Sequence, residues 1–515
     1  MATAAPGKYA LDNPISLLVD KPREDFTRED LIRVIEEKQI ERITLHYTGL
    51  DGRYKELKVP VSTRMQAERI LANGERVDGS SLFKGMVDNA LSDLYVVPVY
   101  KSAFLNPFDE PSLEITCRYL GRDGALVPFA PDSILRRAAE LFRANSGCDL
   151  WALGELEFFL CGDLNSGMYP LPKQRAYHAS APFVKSGTVL NEIVHHLMRI
   201  TGRIKYAHSE VGCIDAVRSD LPELKGKAAE QLEVEFLPAP VEDAGDFLVL
   251  ARWLIRNVAY RHGLLATFAP KIEEGVAGNG MHIHMEARRD GRNIMLDDGV
   301  LSPIARKIIG GLCTYADTLT AFGNTVSSAY LRLVPDQEAP TRICWSDCNR
   351  SSMIRVPLGW SQIDDLAGSL NPQQQLHHHQ TDSVQTVELR SPDGSANAHL
   401  LLAGITLAAE WGMTREEAPG IAQRLYVTGN IFRDQELLRS LPALPHSCVA
   451  SARLLLEKRA LYERDGVMPP SVIAYLSNLL MKEDDDNMNE RLADLPADDR
   501  LHETRKIMHK DLHRH

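Results

Sequence analysis

The sequence predicts an α+β fold, and three observations support this prediction. A helical pattern and two alternating strand patterns lie close together near the start of the chain. Farther along, four short segments alternate apolar with ionisable residues, as strands with one buried face do. Long stretches with helical periodicity separate these strands. With 515 residues, the chain is long enough for one small and one large domain.

The first elements are a helix and a hairpin. Residues 25–28 begin the helix, and strands are predicted at 43–48 and 54–61, with Asp51 and Gly52 in the turn between them. The apolar face of the helix is formed by Leu31, Ile32, Val34 and Ile35. Prolines and glycines between residues 107 and 124 separate this unit from the next one. We therefore predict an N-terminal extension over 1–24, a small domain over 25–120 and a large domain over 121–515.

Three helices are predicted in the large domain. Asp132 follows Pro131 and is expected to cap a helix that continues through Phe142. Residues 247–261 have an amphipathic pattern, and Gly263 is expected to end that helix. Residues 400–409 are apolar throughout, but about 20 residues are needed to cross a bilayer. This run is therefore predicted to be a buried helix.

Composition and charge limit the classes of function. Hydrophobic residues make up 44% and charged residues 25%, as in an ordinary folded protein. Acidic residues outnumber basic ones by 70 to 58, and the resulting charge of −12 repels phosphate backbones and anionic lipids. We expect no nucleic-acid or membrane partner. The eight cysteines form no CxxC pair, and no secretory signal is recognisable, so we expect a cytoplasmic protein.

The four alternating strands carry the ionisable residues. In each strand, residues two positions apart share a face. These residues are Glu155 and Glu157 in GELEFFL, Glu233 and Glu235 in LEVEF, His282, His284 and Glu286 in MHIHME, and Glu388 and Arg390 in VELR. An antiparallel sheet with one face in water would explain any single strand. Four such strands, rich in Glu and poor in Lys, favour a shared cavity lined by carboxylates.

Such a cavity requires cations. Two like charges 4 Å apart repel each other by about 4 kcal/mol at an effective dielectric constant near 20. Oxygen ligands with one or two imidazoles suit Mg²⁺ or Mn²⁺, whereas zinc usually binds Cys or several His. The sequence therefore predicts a site for divalent cations of this hard type.

Arginines between these strands indicate phosphoryl chemistry. Arg332, Arg350 and Arg355 lie between the His-rich strand and Glu388. Arginine side chains beside divalent cations stabilise the charge on a transferring phosphoryl group. There is no GxxxxGK[ST] motif, and Gly275, Gly278 and Gly280 precede a strand rather than a helix. ATP, if bound, would then be held mainly through metals.

Six segments resemble successive signature segments of the glutamine synthetase family, in the family's order. They are VDGSSLFKGM, GELEFFL, GNGMHIHME, RLVPDQEAP, NRSSMIRVP and VELRSPDGSAN. The resemblance implies a small N-terminal β-grasp domain and a large catalytic domain with a curved antiparallel sheet and flanking helices. It also implies a homo-oligomer of stacked rings, commonly a dodecamer, whose active sites lie between neighbouring subunits.

The resemblance also implies roles for individual residues. One divalent cation, Mg²⁺ or Mn²⁺, would be bound by Glu157, Glu210 and Glu233, and a second by Glu155, His282 and Glu388. ATP would contact Arg350, Arg355 and His284, of which Arg350 also serves catalysis. Glutamate would be bound by Gly278, Arg332 and Arg390. Glu338 would close over the acyl phosphate and take a proton from ammonium, and Asp78 of the adjoining subunit would bind and deprotonate ammonium.

Some positions depart from the family pattern. Ala277 stands where an Asn usually helps to hold the amino acid, Glu286 replaces a hydroxyl residue near the nucleotide, and Thr386 replaces an arginine that binds phosphate. The segment between Glu210 and Glu233 is longer than usual. Glu223 and Glu230 are therefore alternatives to Glu210 as a metal ligand.

The leading hypothesis is an ATP-dependent ligase of nitrogen metabolism that makes glutamine from glutamate and ammonia through γ-glutamyl phosphate. One alternative is a γ-glutamyl ligase that uses an organic amine or polyamine, which Ala277 favours. Asp78 and Glu338 favour ammonia, because two acids make a small site for a cation. A second alternative is a catalytically silent ring with a structural or regulatory role, for which the changes at Glu286 and Thr386 leave room.

Overall fold

The computed structural model describes residues 9–87, 92–164, 167–170, 173–334, 339–359, 365–376 and 382–514. Its elements are arranged around two large sheets, one in each half of the fold. The N-terminal elements are α1 (Pro14–Val19), α2 (Arg28–Glu37), β1 (Arg42–Thr48), β2 (Tyr54–Pro60), α3 (Arg64–Asn73), β3 (Glu75–Asp78), α4 (Gly79–Leu82), β4 (Asp93–Pro98), β5 (Phe104–Leu105) and β6 (Ser112–Leu120).

The larger group of elements follows after Leu120. Its strands are β7 (Asp149–Gly162), β8 (Ile204–Ile214), β9 (Ala228–Phe236), β10 (Ala239–Pro240), β11 (Leu265–Thr267), β12 (Met281–Arg289), β13 (Arg292–Asn293), β14 (Leu296–Asp297), β15 (Val300–Leu301), β16 (Trp345–Asp347), β17 (Ile354–Val356) and β18 (Val387–Leu389). Its helices are α5 (Pro131–Ser146), α6 (Gly187–Thr201), α7 (Val241–Arg261), α8 (Pro303–Gly323), α9 (Ala329–Arg332), α10 (Ala398–Thr414), α11 (Ala418–Arg424), α12 (Gln435–Ser440), α13 (Cys448–Glu457), α14 (Ala460–Glu463), α15 (Pro470–Met481), α16 (Met488–Ala493) and α17 (Ala497–His509).

The N-terminal sheet is mixed. Its strand order is β2-β1-β6-β4-β3, and β5 pairs with β6. The predicted hairpin of β1 and β2 is antiparallel, and Gly52 in its turn has a φ of 79°, which glycine adopts without strain. β1 also pairs in parallel with β6. This sheet carries Asp78 at the end of β3.

The first predicted helix begins at Arg28, within the expected range 25–28. Thr27 caps α2: its side chain accepts a hydrogen bond from the Asp30 N–H, and the Asp30 carboxylate accepts one from the Thr27 N–H. This reciprocal pairing fixes the start of the helix at Arg28. The predicted apolar face is buried: Leu31, Ile32, Val34 and Ile35.

The N-terminal extension contains structure that the sequence patterns did not indicate. Asn13 caps α1 by accepting hydrogen bonds from the backbone of Ile15 and Ser16. Arg23 donates a hydrogen bond to the backbone oxygen of Thr201, 3.2 Å away at the end of α6. The segment before residue 25 therefore packs against the larger group of elements. The domain limits 1–24, 25–120 and 121–515 stay predictions.

The large sheet positions the ionisable strands next to each other. Its order is β16-β17-β18-β12-β7-β9-β8, with β10 and β11 paired with β7 and β13 paired with β12. The described pairs are antiparallel except for β16 with β17. The predicted α+β fold is confirmed: a small N-terminal sheet with its helices precedes a large, mostly antiparallel sheet with flanking helices.

Helices cover the apolar side of this sheet. Residues 400–409 lie in α10, and every one of them is buried, as predicted. α7 begins at Val241, six residues before the predicted start, and ends at Arg261 before Gly263, whose φ is 69°. In the part of the chain that is described, no helix combines the length and the apolar character needed to cross a bilayer.

The expectation that Asp132 caps α5 is wrong. The cap position is Ala130, and Asp132 lies buried in the first turn of the helix. There its carboxylate is 3.5 Å from Arg118 of β6. Arg118 is also paired with Asp246 of α7 at 2.5 Å, and His399 of α10 is 3.0 Å from the other oxygen of Asp246. Asp132 therefore belongs to a cluster of charged side chains that joins β6, α5, α7 and α10.

Candidate active site

Strand register brings the predicted acids together. On β7, Glu155 lies opposite His282 of β12 and Glu235 of β9. Two residues along, Glu157 lies opposite Glu233 of β9. Because β7 lies between β12 and β9, ionisable side chains from three strands meet on one face of the sheet.

The first cluster joins Glu155, His284 and Glu388, whose potential ligand atoms all lie within 4.8 Å of one another. Glu155 Oε2 is 2.8 Å from His282 Nδ1, and Glu155 Oε1 is 2.8 Å from His284 Nε2. His282 Nδ1 is also 3.7 Å from Glu388 Oε1. The predicted set of Glu155, His282 and Glu388 is thus gathered here, and His284, expected at the nucleotide, lies among them.

Electrostatics differ between neighbouring acids of the site. Burial alone would raise the pKa of Glu155, but the imidazoles of His284 and His282 outweigh it and hold that pKa well below its usual range. Burial raises the pKa of Glu157 to about 7; His282 opposes this rise, and the charge of Glu210 adds to it. The imidazoles therefore outweigh burial at Glu155, whereas at Glu157 the nearby His282 and Arg332 do not offset it.

The second cluster joins His208, Glu210 and Glu233 within the same 4.8 Å limit. Burial and the carboxylates of Glu155 and Glu157 raise the pKa of Glu233 well above its usual range. Glu157, the third predicted ligand, is fixed beside this cluster, because the Gly280 N–H and Gln231 Nε2 donate to its Oε2 at 2.9 and 3.0 Å.

Two residues of these clusters were not among the predicted site residues. His208 is two positions before Glu210 on β8, and this alternation was a usable signal. Glu235 forms a third cluster with Glu155 and Glu233, which connects the other two. The sequence pattern places Glu235 on the same face as Glu233 but gives Glu235 no role. Glu235 also accepts a hydrogen bond from Lys205 at 2.7 Å.

The residues present fit divalent cations of the Mg²⁺ or Mn²⁺ type. The clusters offer carboxylate oxygens with a few imidazoles and no thiolate. Buried carboxylates that repel one another are costly unless a cation compensates them, and the raised pKa values of Glu157 and Glu233 report that cost. The metal assignments themselves stay predictions.

Contacts distinguish Glu210 from its two alternatives. Glu230 accepts hydrogen bonds from the N–H groups of Lys185 and Ser186 at 2.8 and 2.9 Å, at the start of α6. Glu223 is near the chain end, 3.4 Å from His513. Only Glu210, of these three, belongs to a cluster that the described residues form. These contacts favour Glu210.

Arginines surround Glu388. Arg355 Nη1 donates to one carboxylate oxygen of Glu388 at 2.9 Å, and Arg390 Nε donates to the other at 3.0 Å. Arg390 also donates to the backbone oxygen of Arg350. Arg332 at the end of α9 donates to the backbone oxygen of Ser391 at 3.0 Å. The four predicted arginines therefore lie around the strand β18 and the loop after it.

A cavity of about 270 Å³ opens beside these groups. Its lining includes Glu157, His282, Arg332 and Arg390, together with Lys271, Gln174 and residues 275–278. A Cβ atom at Gly280 would lie 2.8 Å from His282 Nε2, 2.9 Å from Arg332 Nη2 and 2.9 Å from Glu157 Oε1. The predicted glutamate residues Gly278, Arg332 and Arg390 are thus in one cavity with predicted metal ligands.

The positions that depart from the family pattern have partners within the chain. Thr386 Oγ1 is 2.9 Å from His284 Nδ1, so the two side chains orient each other. Glu286 is buried and accepts hydrogen bonds from Arg288 and Asn293 at 2.5 and 2.7 Å. Thr386 therefore helps to orient His284, whereas Glu286 is held by Arg288 and Asn293.

The structure describes only one of the two acids that are predicted to act on ammonium. Glu338 lies outside the described residues. Asp78 is exposed and accepts hydrogen bonds from Ser80 Oγ and Ser81 Oγ at 2.7 and 2.6 Å, which lower its pKa to about 2. None of these contacts joins Asp78 to the carboxylate clusters of its own chain.

Known proteins resemble this chain over most of its length. The family model "Glutamine synthetase, catalytic domain" matches residues 129–494, and "Glutamine synthetase, beta-Grasp domain" matches residues 39–121. The glutamine synthetase of Methylococcus capsulatus is 28% identical over 479 residues, which cover 88% of this chain and 95% of that protein. That of Pyrococcus horikoshii is 30% identical over 405 residues, which cover 78% of this chain and 80% of that one.

A solved structure agrees in fold. The cryo-electron microscopy structure of Plasmodium falciparum glutamine synthetase matches with a TM-score of 0.70 and 19% identity, over 92% of this chain and 98% of that chain. The catalytic-domain model covers more than half of the sequence, and the β-grasp model covers the N-terminal sheet. The chain therefore belongs to the glutamine synthetase family, a family of ATP-dependent carboxylate–amine ligases.

Proposed function

We propose that this protein joins ammonia to the γ-carboxylate of glutamate and forms glutamine. In the first step, a γ-carboxylate oxygen attacks the γ-phosphorus of ATP, and ADP leaves. In the second step, the nitrogen of ammonia attacks the carbonyl carbon of γ-glutamyl phosphate, and inorganic phosphate leaves. The observation that carries the proposal is the cavity in which Arg332 and Arg390 lie beside the carboxylate clusters.

Residues of this chain have distinct tasks in the proposal. Glu157, Glu210 and Glu233 hold one divalent cation, and Glu155, His282 and Glu388 hold the other. Bound Mg²⁺ or Mn²⁺ offsets the negative charge on the transferring phosphoryl group. Arg350 and Arg355 orient the phosphates together with His284, while Arg332, Arg390 and Gly278 bind glutamate.

Ammonium binding is proposed to depend on acids. The serine hydroxyls keep Asp78 ionised, with a pKa of about 2, so this residue attracts ammonium by its charge. A carboxylate of such low basicity is a weak proton acceptor. Glu338 is therefore the proposed group that takes the proton before nitrogen attacks.

An amine screen tests the proposal. Protein, ATP, Mg²⁺ and glutamate are incubated with ammonium, putrescine, spermine or ethanolamine, and ADP release and product mass are measured. We expect ADP release with ammonium and a product with the mass of glutamine. Turnover with an organic amine but not with ammonium would instead support the γ-glutamyl amine ligase that Ala277 favours. Absence of ADP release with every amine and metal would support a silent ring.

A further inference from the structure

One side chain of the cavity has a hydrogen-bond donor for which the described residues offer no acceptor. Gln174 lies in the segment before α6 and lines the 270 Å³ cavity with Ala277, Gly278, Arg332 and Arg390. Its Oε1 accepts a hydrogen bond from the Ala277 N–H at 2.9 Å. Its Nε2 is buried and has no hydrogen-bond partner among the described residues.

The orientation of this carboxamide follows from chemistry. A backbone N–H can only donate, so the atom of Gln174 that faces Ala277 N must be the oxygen. The NH₂ group is therefore the part that remains for a ligand. Gln174 also has a φ of 59°, an uncommon conformation for a residue with a side chain, and such conformations are concentrated at functional sites.

The unused donor indicates what kind of ligand group it would meet. A buried donor without a partner is unfavourable, so a ligand that accepts its hydrogen bond gains affinity. The nearby charged groups Arg332 and Arg390 are also donors. Lys271 donates to the backbone oxygen of Val276. The described lining of the cavity thus has several donors beside the single acid Glu157, and such a lining favours a ligand with acceptor oxygens, such as a carboxylate.

We propose that Gln174 makes the enzyme specific for a substrate with an α-carboxylate, by donating a hydrogen bond from Nε2 to that group. This inference rests on the proposed function, in which glutamate occupies the cavity with its γ-carboxylate toward the metal clusters. Ala277 and Gly278 have no side-chain donor of their own. The carboxamide of Gln174, from a different segment of the chain, supplies a donor to the same cavity.

The substitution Gln174→Glu separates the donor from the rest of the side chain. Glutamate has the shape of glutamine and can still accept from the Ala277 N–H, but it replaces the NH₂ donor with an anionic oxygen. We expect the KM for glutamate to rise about tenfold to a hundredfold, with kcat changed by less than about threefold, because a contact made equally in ground and transition states affects KM. Gln174→Met, which loses the donor without adding charge, should give a smaller rise in KM.

The matched control is Gln39→Glu, which adds the same charge at an exposed position after α2. Its KM for glutamate should equal that of the wild type. The second measurement is calorimetric binding of glutamate and of 4-aminobutyrate, which lacks the α-carboxylate, in the presence of ADP and Mg²⁺. Gln174→Glu should weaken the binding of glutamate and leave that of 4-aminobutyrate unchanged.

The outcomes separate this inference from the proposed function. If the wild type shows no glutamate-dependent ADP release, the proposed function fails. If the wild type is active and Gln174→Glu binds glutamate as tightly as the wild type, the role of Gln174 is refuted. Equal weakening of glutamate and 4-aminobutyrate would also refute it, because Gln174 would then support the cavity without recognising the α-carboxylate.

Discussion

Glu388 shows how a single residue connects the two kinds of chemistry in the site. It belongs to the first carboxylate cluster, and both of its oxygens also accept hydrogen bonds from arginines, Arg355 and Arg390. Burial would raise the pKa of Glu388, but His284 and the other nearby cations lower it. Glu388 is thus ionised, and it lies where the carboxylate cluster and the arginines Arg355 and Arg390 come together.

We expect Glu388→Ala to reduce ADP release by about 10²- to 10³-fold, the usual loss when one group that stabilises developing charge is removed. The variant would leave one metal with Glu155 and His282 as ligands. The control is Glu140→Ala, which removes an exposed carboxylate paired with Arg136 on α5. Initial rates with saturating ATP, glutamate and ammonium provide the comparison, and wild-type turnover by Glu388→Ala would contradict the assignment.

Gly280 is a second residue of interest, because its surroundings leave little room for a side chain. A methyl group there would lie within 2.9 Å of His282 Nε2, Arg332 Nη2 and Glu157 Oε1, so these three groups would have to move. We expect Gly280→Ala to keep its fold and lose most of its activity. Gly187→Ala at the start of α6, where a Cβ meets nothing within 4 Å, should behave like the wild type. Circular dichroism and ADP release would test both, and an active Gly280→Ala would mean that the groups tolerate displacement.

Alternation predicted most site residues on strands, whereas the roles of Gly278 and Arg350, which lie outside strands and helices, came from the family resemblance. Alternation along β7, β9 and β12 placed Glu155, Glu157, Glu233 and His282 on one face without any structure. His208 alternates with Glu210 along β8 in the same way, but it was not among the predicted site residues. Gln174 lies on a segment without periodicity, so only the folded chain reveals that its carboxamide reaches the cavity.

At the scale of elements, hydrophobic periodicity predicted where helices and strands exist, and local hydrogen bonds decided where they begin. The apolar face of α2 and the burial of α10 followed from pattern alone. The start of α2 depended on the reciprocal pairing of Thr27 with Asp30, which a pattern of apolar residues does not contain. Asp132 pairs with Arg118 of β6, and the local sequence around Asp132 does not indicate this partner.

The contact between β6, α5 and α7 predicts a large effect on stability. Arg118→Met would leave Asp132 and Asp246 buried without their guanidinium partner, and loss of one partner of a buried ion pair costs about 3 to 5 kcal/mol. We expect a clear decrease in the melting temperature. Arg136→Met, which breaks an exposed pair four residues apart on α5, should change it little, since such pairs contribute about 0.5 kcal/mol or less. Differential scanning calorimetry measures both variants. Equal melting temperatures for Arg118→Met and Arg136→Met would contradict a stabilising role for the buried pair.

The position of Asp78 bears on how copies of this chain assemble. It lies at the exposed end of β3, and its side-chain hydrogen bonds are made with the neighbouring serines Ser80, Ser81 and Ser92. In the proposal, it completes the active site of a neighbouring copy. The sequence predicted this only through the family resemblance, because no pattern in one chain encodes which surface meets a second copy.

Mixing two inactive variants tests the shared site. Asp78→Ala subunits keep intact metal ligands, and Glu388→Ala subunits keep Asp78, so a mixed oligomer contains some complete sites. We expect partial recovery of glutamine synthesis after subunit exchange, and size-exclusion chromatography with light scattering should show a large homo-oligomer. A monomeric wild type, or no recovery after exchange is verified, would contradict a site formed between subunits.

We propose that the carboxylate clusters of one chain hold at least two hard divalent cations. Titration of the purified protein with Mn²⁺, monitored by electron paramagnetic resonance of the free ion, counts them directly and does not depend on activity. The wild type should bind two or more Mn²⁺ per chain. Glu233→Gln, which alters two of the three clusters, should bind fewer or bind them more weakly. One ion or none per wild-type chain would contradict the claim.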